Sequence, residues 1–301
     1  MPPLPLVAAT ESVVTLFAFI TLLGDAWFLL VGLSLLYWGG PHLDDTTRPV
    51  GATVIALATL ALAVVLAVKS YTAIPRPAAA PITTSGLPEV LGSFVAGELD
   101  SSGFAFPSGH ATGATAVYGG AGVLLTLGRR RLRYLVAGVL IVLVSGSRLV
   151  LQVHYVRDIV AGIALGALLI GLSRRLAGRG PTLRADRVFL LAGSVSVVGL
   201  AVALAGGHTE EVRHATIGVG TAAGGTAMWG RARDRLMAAP AVSIPVAAGG
   251  LAVAGGVWIG AYEGVFGLAG ALGGGAVGTV IILGLPLIEQ WRKKGRNVGA
   301  A

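Results

Sequence analysis

The chain is a succession of apolar runs, each close to the length that crosses a bilayer, separated by short polar links. A hydrocarbon core takes about 20 apolar residues per helix, with a working range of about 17–25. Such runs fall at 26–40, 50–68, 107–127, 133–149, 156–173, 187–206, 213–229, 241–260 and 265–287. The first is short, and the seventh is diluted by Gly and Thr. The expected fold is all-α, a polytopic transmembrane helical bundle of about nine spans. Residues 6–23 are also apolar, interrupted by Glu11, and either span or lie along the interface as an amphipathic helix. With no cytoplasmic charge ahead of them, the interface is preferred.

Composition removes several alternatives. Only 12% of the residues are charged, against about 25% in soluble domains, so a soluble two-domain reading fails. Cysteine is absent, which excludes disulfides, thiolate metal sites and cysteine nucleophiles. A net charge of +8 would suit nucleic acid if the basic residues shared a polar domain. They sit instead in short clusters between apolar runs, so no nucleic-acid partner is expected. The opening "MPPLPLVAATES" has no Lys or Arg and does not read as a secretory signal peptide.

The clusters report topology. "RRRLR" (129–133), "RRLAGRGPTLRADR" (174–187), "RARDR" (231–235) and "RKKGR" (292–296) all fall on one side of nine spans. The positive-inside rule makes that side cytoplasmic. An integral cell-membrane protein with a cytoplasmic C-terminus is expected. The opposite, extracytoplasmic side then holds the 69–106 loop, the 149–155 turn, 206–214 and 262–264. The 69–106 segment carries Pro75, Pro77, Pro81 and Pro88, so it is not expected to be one regular helix. His208 and His214, in 206–214, read as solvated loop residues.

Ionisable residues near membrane spans are costly and usually functional. Several converge on the outer face: Lys69 and Arg76, then Ser108, Gly109 and His110, then Ser147 and Arg148, then His154 and Asp158. Three cations there call for anions. Asp158 cannot neutralise all of them, and Glu89, Glu98 and Asp100 are assigned to the flexible-looking loop. A bound phosphate would fit, because Arg offers a bidentate fork and Lys a point charge. Pro107 can open a helix without losing a hydrogen bond. The N–H groups that follow attract anions, and Gly109 lets one approach closely.

His154 and Asp158 are four residues apart, which on a helix puts them on one face. The carboxylate can then fix the imidazole tautomer and leave the other nitrogen free to attack. His110 is a second imidazole, free to protonate a leaving oxygen. A metal site is the rival for two His and an Asp, but three nearby cations would repel a divalent ion.

Read together, "KSYTAIPRP" (69–77), "PSGH" (107–110) and "SRLVLQVHYVRD" (147–158) resemble the type 2 phosphatidic acid phosphatase family of membrane lipid phosphatases, relatives of vanadium haloperoxidases and bacterial acid phosphatases. The pattern K-x6-RP, PSGH, SR-x5-H-x3-D matches at every fixed position, in order. The resemblance covers about residues 20–175, including "LLGD" before the first span. It implies a phosphatase core of about five to six helices in residues 1–180. It also implies His154 as the nucleophile forming a phosphohistidine, Asp158 as its orienter and His110 as the general acid. Lys69, Arg76, Ser108, Gly109 and Arg148 would bind the phosphate oxygens, with no metal and no other cofactor.

Residues 181–301 fall outside that pattern and supply about four more spans, suited to an accessory domain or a homo-oligomer surface. Gly256, Gly260 and Gly264, then Gly270, Gly274 and Gly278, form small faces expected to serve helix packing. The expected activity is hydrolysis of a lipid phosphomonoester or diphosphate, from a phosphatidic-acid-like lipid or a polyprenyl diphosphate, with a small lean to an isoprenoid carrier. The rivals are a phosphotransferase on the same scaffold and a non-catalytic scaffold or transporter.

Overall fold

The computed structural model describes residues 11–78 and 87–298, and among these the secondary structure is helical, with one isolated bridge between Pro75 and Phe104. In chain order, α1 is Glu11–Thr21, continued by a 3-10 turn at Leu22–Gly24. Then come α2 (Ala26–Gly39), α3 (Thr47–Thr72) and α4 (Glu89–Glu98). Helix α5 runs through Gly109–Ala114, a π turn at Thr115–Gly119 and Gly120–Leu124. It is followed by α6 (Arg130–Val150), α7 (Val156–Ala177), α8 (Ala185–Gly206), α9 (Thr209–Met237), α10 (Ile244–Tyr262) and α11 (Gly267–Val298).

Six of these, α3, α6, α7, α8, α10 and α11, are each long and apolar enough to cross a membrane. The other three expected spans are of different kinds. The 26–40 run is the second half of a pair: α1 with its 3-10 turn and α2 meet the measure only together, bent by 49°. Residues 11–24, expected along the interface, thus have the alternative of entering the bundle as half of a broken span. Residues 6–10 lie outside the described residues. The 107–127 run is helical but divided by its π turn. Helix α9 opens on Glu210 and Glu211 and is rich in Gly and Thr.

Helix α3 is the spine. It is apolar on every side, as a helix buried all round must be, and Val54, Leu57 and Leu60 are fully enclosed. Helices α2, α5, α7, α8 and α9 pack against it. Small residues set the spacing: a Cβ on Gly51 would stand 3.0 Å from Tyr37, and one on Gly199 3.3 Å from Ala67. In the C-terminal region the closest backbone approach joins α9 to α11. A Cβ on Gly224 would come within 2.5 Å of the Ala276 carbonyl oxygen, and one on Gly275 within 2.9 Å of the Thr221 nitrogen. The expected glycine rows contribute only in part. Gly274 and Gly278 pack on Ala261 and Trp258, whereas Gly256 faces nothing within 4 Å.

The helices on either side of residue 180 are tied by polar bonds. Buried Arg48, at the start of α3, donates from Nε to the Tyr37 carbonyl (3.3 Å), from Nη1 to Leu236 (2.8 Å) and from Nη2 to Pro240 (2.8 Å). The guanidinium thereby adds a donor to the Leu236 carbonyl in the last turn of α9 and takes the Pro240 carbonyl just beyond it. Pro286 lies inside α11 and cannot donate to the carbonyl four residues earlier, that of Ile282. Trp38 Nε1 takes that oxygen at 2.7 Å, and Tyr37 OH donates to Leu283 O at 2.8 Å. An unpaired carbonyl in an apolar environment costs several kcal/mol, so α2 repairs the break in α11.

The 69–106 segment is irregular, as its prolines require, but it also contains α4. Pro81 lies outside the described residues. Helix α4 packs on α1 and on the 151–153 turn through Val95, Val14, Ala18, Leu151 and Val153.

Candidate active site

Four stretches of chain meet at one end of the bundle. Lys69 lies in the last turn of α3, which stops at Ala73 in the left-handed region (φ 46°), its N–H on the Lys69 carbonyl. Arg76 follows in the strand-like stretch that bridges to Phe104, and its Nη1 donates to the Asp100 carbonyl at 2.9 Å. Ser108 is the N-cap of α5, buried, with Oγ accepting weakly from Ala111 N at 3.4 Å. Helix α5 therefore begins at Gly109, and Pro107 sits ahead of the cap and not in the first turn as expected. The Ser108 N–H donates to the Asp158 carbonyl at 3.1 Å, so a backbone bond joins "PSGH" to the start of α7. Close approach of these helices requires Gly162, whose Cβ would stand 2.8 Å from Ser108 O. A Cβ on Gly109 would meet only Val65, at 3.6 Å. Packing does not demand glycine there, which leaves the backbone open to a ligand.

His154 stands in the turn before α7, not on the helix. The turn folds back on α6: Val153 N donates to Arg148 O at 3.2 Å, and Gln152 takes φ 57°. This fold-back sets His154 beside Arg148. Asp158 is fully buried in the first turn of α7, and its Oδ2 accepts from Tyr155 N at 2.8 Å, a capping-box contact. The same oxygen lies 3.5 Å from His154 Nδ1, the outer limit of a hydrogen bond, and Nδ1 has no nearer partner among the described residues. The expected pairing is present, made by a cap and not by a shared helix face. Burial pushes the His154 imidazole down to about 4; Lys69, Arg76 and Arg148 act the same way and the nearby Asp158 carboxylate opposes them.

Arg148 is buried at the end of α6. Its Nη1 donates to Thr21 Oγ1 at 2.9 Å and to Glu98 Oε2 at 3.0 Å. Glu98 was expected in a flexible loop; it is the last residue of α4 and an ion partner of the site. Burial, then the nearby Asp25 charge, raises its carboxyl above the usual range, against the opposing pull of Arg148. Arg76 Nε and Arg148 Nε are buried without a partner among the described residues. Buried donors of this kind are rare unless a ligand uses them.

His110, in the first turn of α5, lies with Nε2 2.9 Å from Asp25 Oδ1. Thr21, Asp25 and Glu98 are the site residues that sequence reasoning missed. The available signal was an acid inside an apolar stretch, in "LLGD". Asp25, Glu98 and His110 also bring ligand atoms within 4.8 Å of one another, a possible cation cluster different from the one weighed on sequence grounds. The Arg148 guanidinium on Glu98 disfavours a divalent ion there.

The C-terminal region reaches the rim of the site. His208 sets its ring edge on Phe104 with centroids 4.8 Å apart, and His214 stacks on Tyr262 at 4.9 Å. Both histidines are half-buried, not solvated as expected. Glu211 is near enough to act electrostatically on Lys69.

Residues 51–180 match the PAP2 superfamily. The match covers 130 of the 301 residues. All eight site residues named from the motifs lie within the matched stretch, and Thr21 and Asp25 lie outside it. The chain is also similar to phosphatidylglycerophosphatase B of Bacillus subtilis (strain 168), 40% identical over 80 residues. The aligned part is 25% of this chain and 39% of that protein, so the chain covers well under half of the relative's length. No solved structure is significantly similar to the chain.

Proposed function

We propose that the chain is an integral membrane lipid phosphatase whose site opens on the extracytoplasmic face, with a cytoplasmic C-terminus. The observation that carries this reading is the meeting of Lys69, Arg76 and Arg148 with the His154–Asp158 pair and His110 inside the stretch that matches the PAP2 superfamily. The cations and the free N–H groups opening α5 hold the phosphate oxygens. The His154 Nε2 lone pair attacks phosphorus while Asp158 holds Nδ1. The phosphorus–oxygen ester bond breaks, its electron pair goes to the leaving oxygen, and His110 supplies the proton. Water then attacks the phosphohistidine, loses its proton to His110 and returns the bonding pair to His154.

The orientation rests on opposite helix ends. Helix α7 has Asp158 in its first turn and Arg174 and Arg175 in its last. Helix α6 begins at Arg130 and carries Arg148 in its last turn. Basic clusters therefore mark the end away from the site, which the positive-inside rule makes cytoplasmic. A site at headgroup level admits a lipid sideways between helices.

The test is phosphate release by purified protein in the presence of chelator, from phosphatidic acid, phosphatidylglycerol phosphate and a polyprenyl diphosphate. The named relative makes the second of these the first to try. Release from at least one is expected, and His154→Ala should abolish it without loss of folded protein. Near-normal activity in that variant would refute the nucleophile, and a new ester in place of free phosphate would show transfer to an alcohol.

A further inference from the structure

Asp25 sits where the first apolar pair bends, between the 3-10 turn after α1 and the start of α2. A carboxylate between two apolar helices is costly unless something holds it. It occupies the N-cap position of α2, where an Asp ordinarily accepts from a backbone N–H two or three residues on. It makes no such bond. Instead Oδ1 meets His110 Nε2 at 2.9 Å, and Oδ2 accepts from Trp27 Nε1 at 3.1 Å.

The surroundings fix this geometry from three sides. Tyr118 OH, on α5, donates to the Leu23 carbonyl at 2.6 Å and docks the bend onto the helix that carries His110. At Gly24 a Cβ would stand 2.9 Å from His110 Cδ2 and would collide with Val144, so only glycine lets the bend come this close. One turn earlier, Thr21 accepts from Arg148. The bend thus serves two groups of the site at once.

An acid must hold a proton until the leaving oxygen takes it. His110 faces Lys69 from α3, Arg76 from the following loop and Arg148 from α6, all of which oppose an imidazolium. The anions facing it are Asp25 and Glu98, and Glu98 is already paired with Arg148. We propose that Asp25 is the positioning residue for His110: it accepts from Nε2, leaves Nδ1 to deliver the proton, and supplies the negative charge that lets the ring carry it. This assignment rests on the phosphatase reading above.

The experiment compares two substrates on purified wild type and Asp25→Asn. One is a lipid phosphomonoester, whose alkoxide leaving group needs a proton; the other is p-nitrophenyl phosphate, whose phenolate does not. Asp25→Asn should lower kcat on the lipid by about 10–100-fold, within the range that a lost acid accounts for. KM should stay near wild type, the aryl phosphate should lose less than about threefold, and the alkaline limb of the lipid kcat profile should move to lower pH. In a His110→Ala background, Asp25→Asn should add nothing, because residues that act through one another are not additive. Equal losses on both substrates, or full additivity with His110→Ala, would overturn the assignment. Should Asp25→Asn fail to fold, Asp25→Glu is read in the same way: a loss selective for the lipid supports the assignment and a uniform loss overturns it. His154→Ala, measured alongside, tests the phosphatase reading separately, since activity retained there would sink that reading whatever Asp25 does.

Discussion

A single carboxylate oxygen, Asp158 Oδ2, both caps α7 and faces His154, so orientation and helix start are one device. On the proposed mechanism, Asp158→Asn should lower kcat by about 10²-fold or more but less than His154→Ala, which removes the proposed attacking atom; single-turnover phosphate release would compare them. The pH dependence follows from His154. Its folded value of about 4 lies below the ordinary 6.5, so the ring stays neutral, and able to attack, down to about that pH. The acid limb of kcat/KM should fall near pH 4 and not near 6.5. The sign for stability is the same: the unfolded chain binds the proton first, so stability is full above about pH 6.5 and declines as pH falls towards 4. At this scale much was legible. The eight motif residues are far apart in sequence, yet parity of the spans put them on one face, and they meet there. The roles of Glu98 and Thr21 were not legible, and Asp25 showed only as an acid in "LLGD", because a pairing across 85 residues such as Asp25 with His110 leaves no periodic trace.

Among the helices, the decisive contacts are places where one repairs or admits another. Gly162 admits α5. Gly162→Ala would press a Cβ to 2.8 Å from Ser108 O and should cost about 1–3 kcal/mol, with activity falling alongside melting temperature. Trp38 repairs α11. Trp38→Phe keeps the bulk but strands the Ile282 carbonyl, which should cost about 1–3 kcal/mol; thermal unfolding in detergent should show the loss with KM unchanged. Apolar length identified the six strongest helices, because length and hydrophobicity are local properties. It left the first pair open, since a bend at Asp25 is set by what the bend contacts. It picked out the packing glycines only in part: Gly274 and Gly278 do meet a neighbouring helix. Four-residue spacing singled out Gly256, which faces nothing, while Gly224 and Gly275 make the close approach to a neighbouring helix. Which face of a helix meets a partner depends on the partner.

For the molecule as a whole, the stretch that matches the PAP2 superfamily is enclosed at both ends by residues outside it. Thr21 and Asp25 hold the chemical end, and Tyr37, Trp38 and Arg48 clamp the other end to α9 and α11. We therefore read residues 181–301 as an accessory region that the core needs for stability. A shortened chain ending at residue 180 loses every acceptor for Arg48 beyond Tyr37. It should aggregate or unfold on solubilisation, measured by size-exclusion profile, and co-expression of the missing part should restore a monodisperse peak. The bend at Asp25 has one more consequence, for recombination between relatives. A chimera that swaps residues 51–180 would inherit the cations, the proposed nucleophile and the proposed acid, but would take the proposed counter-charge from the recipient. Such hybrids should bind phosphate as well as either parent and differ in turnover according to what stands at position 25. The functional unit that is inherited together is then longer, at its N-terminal side, than the stretch that homology marks out.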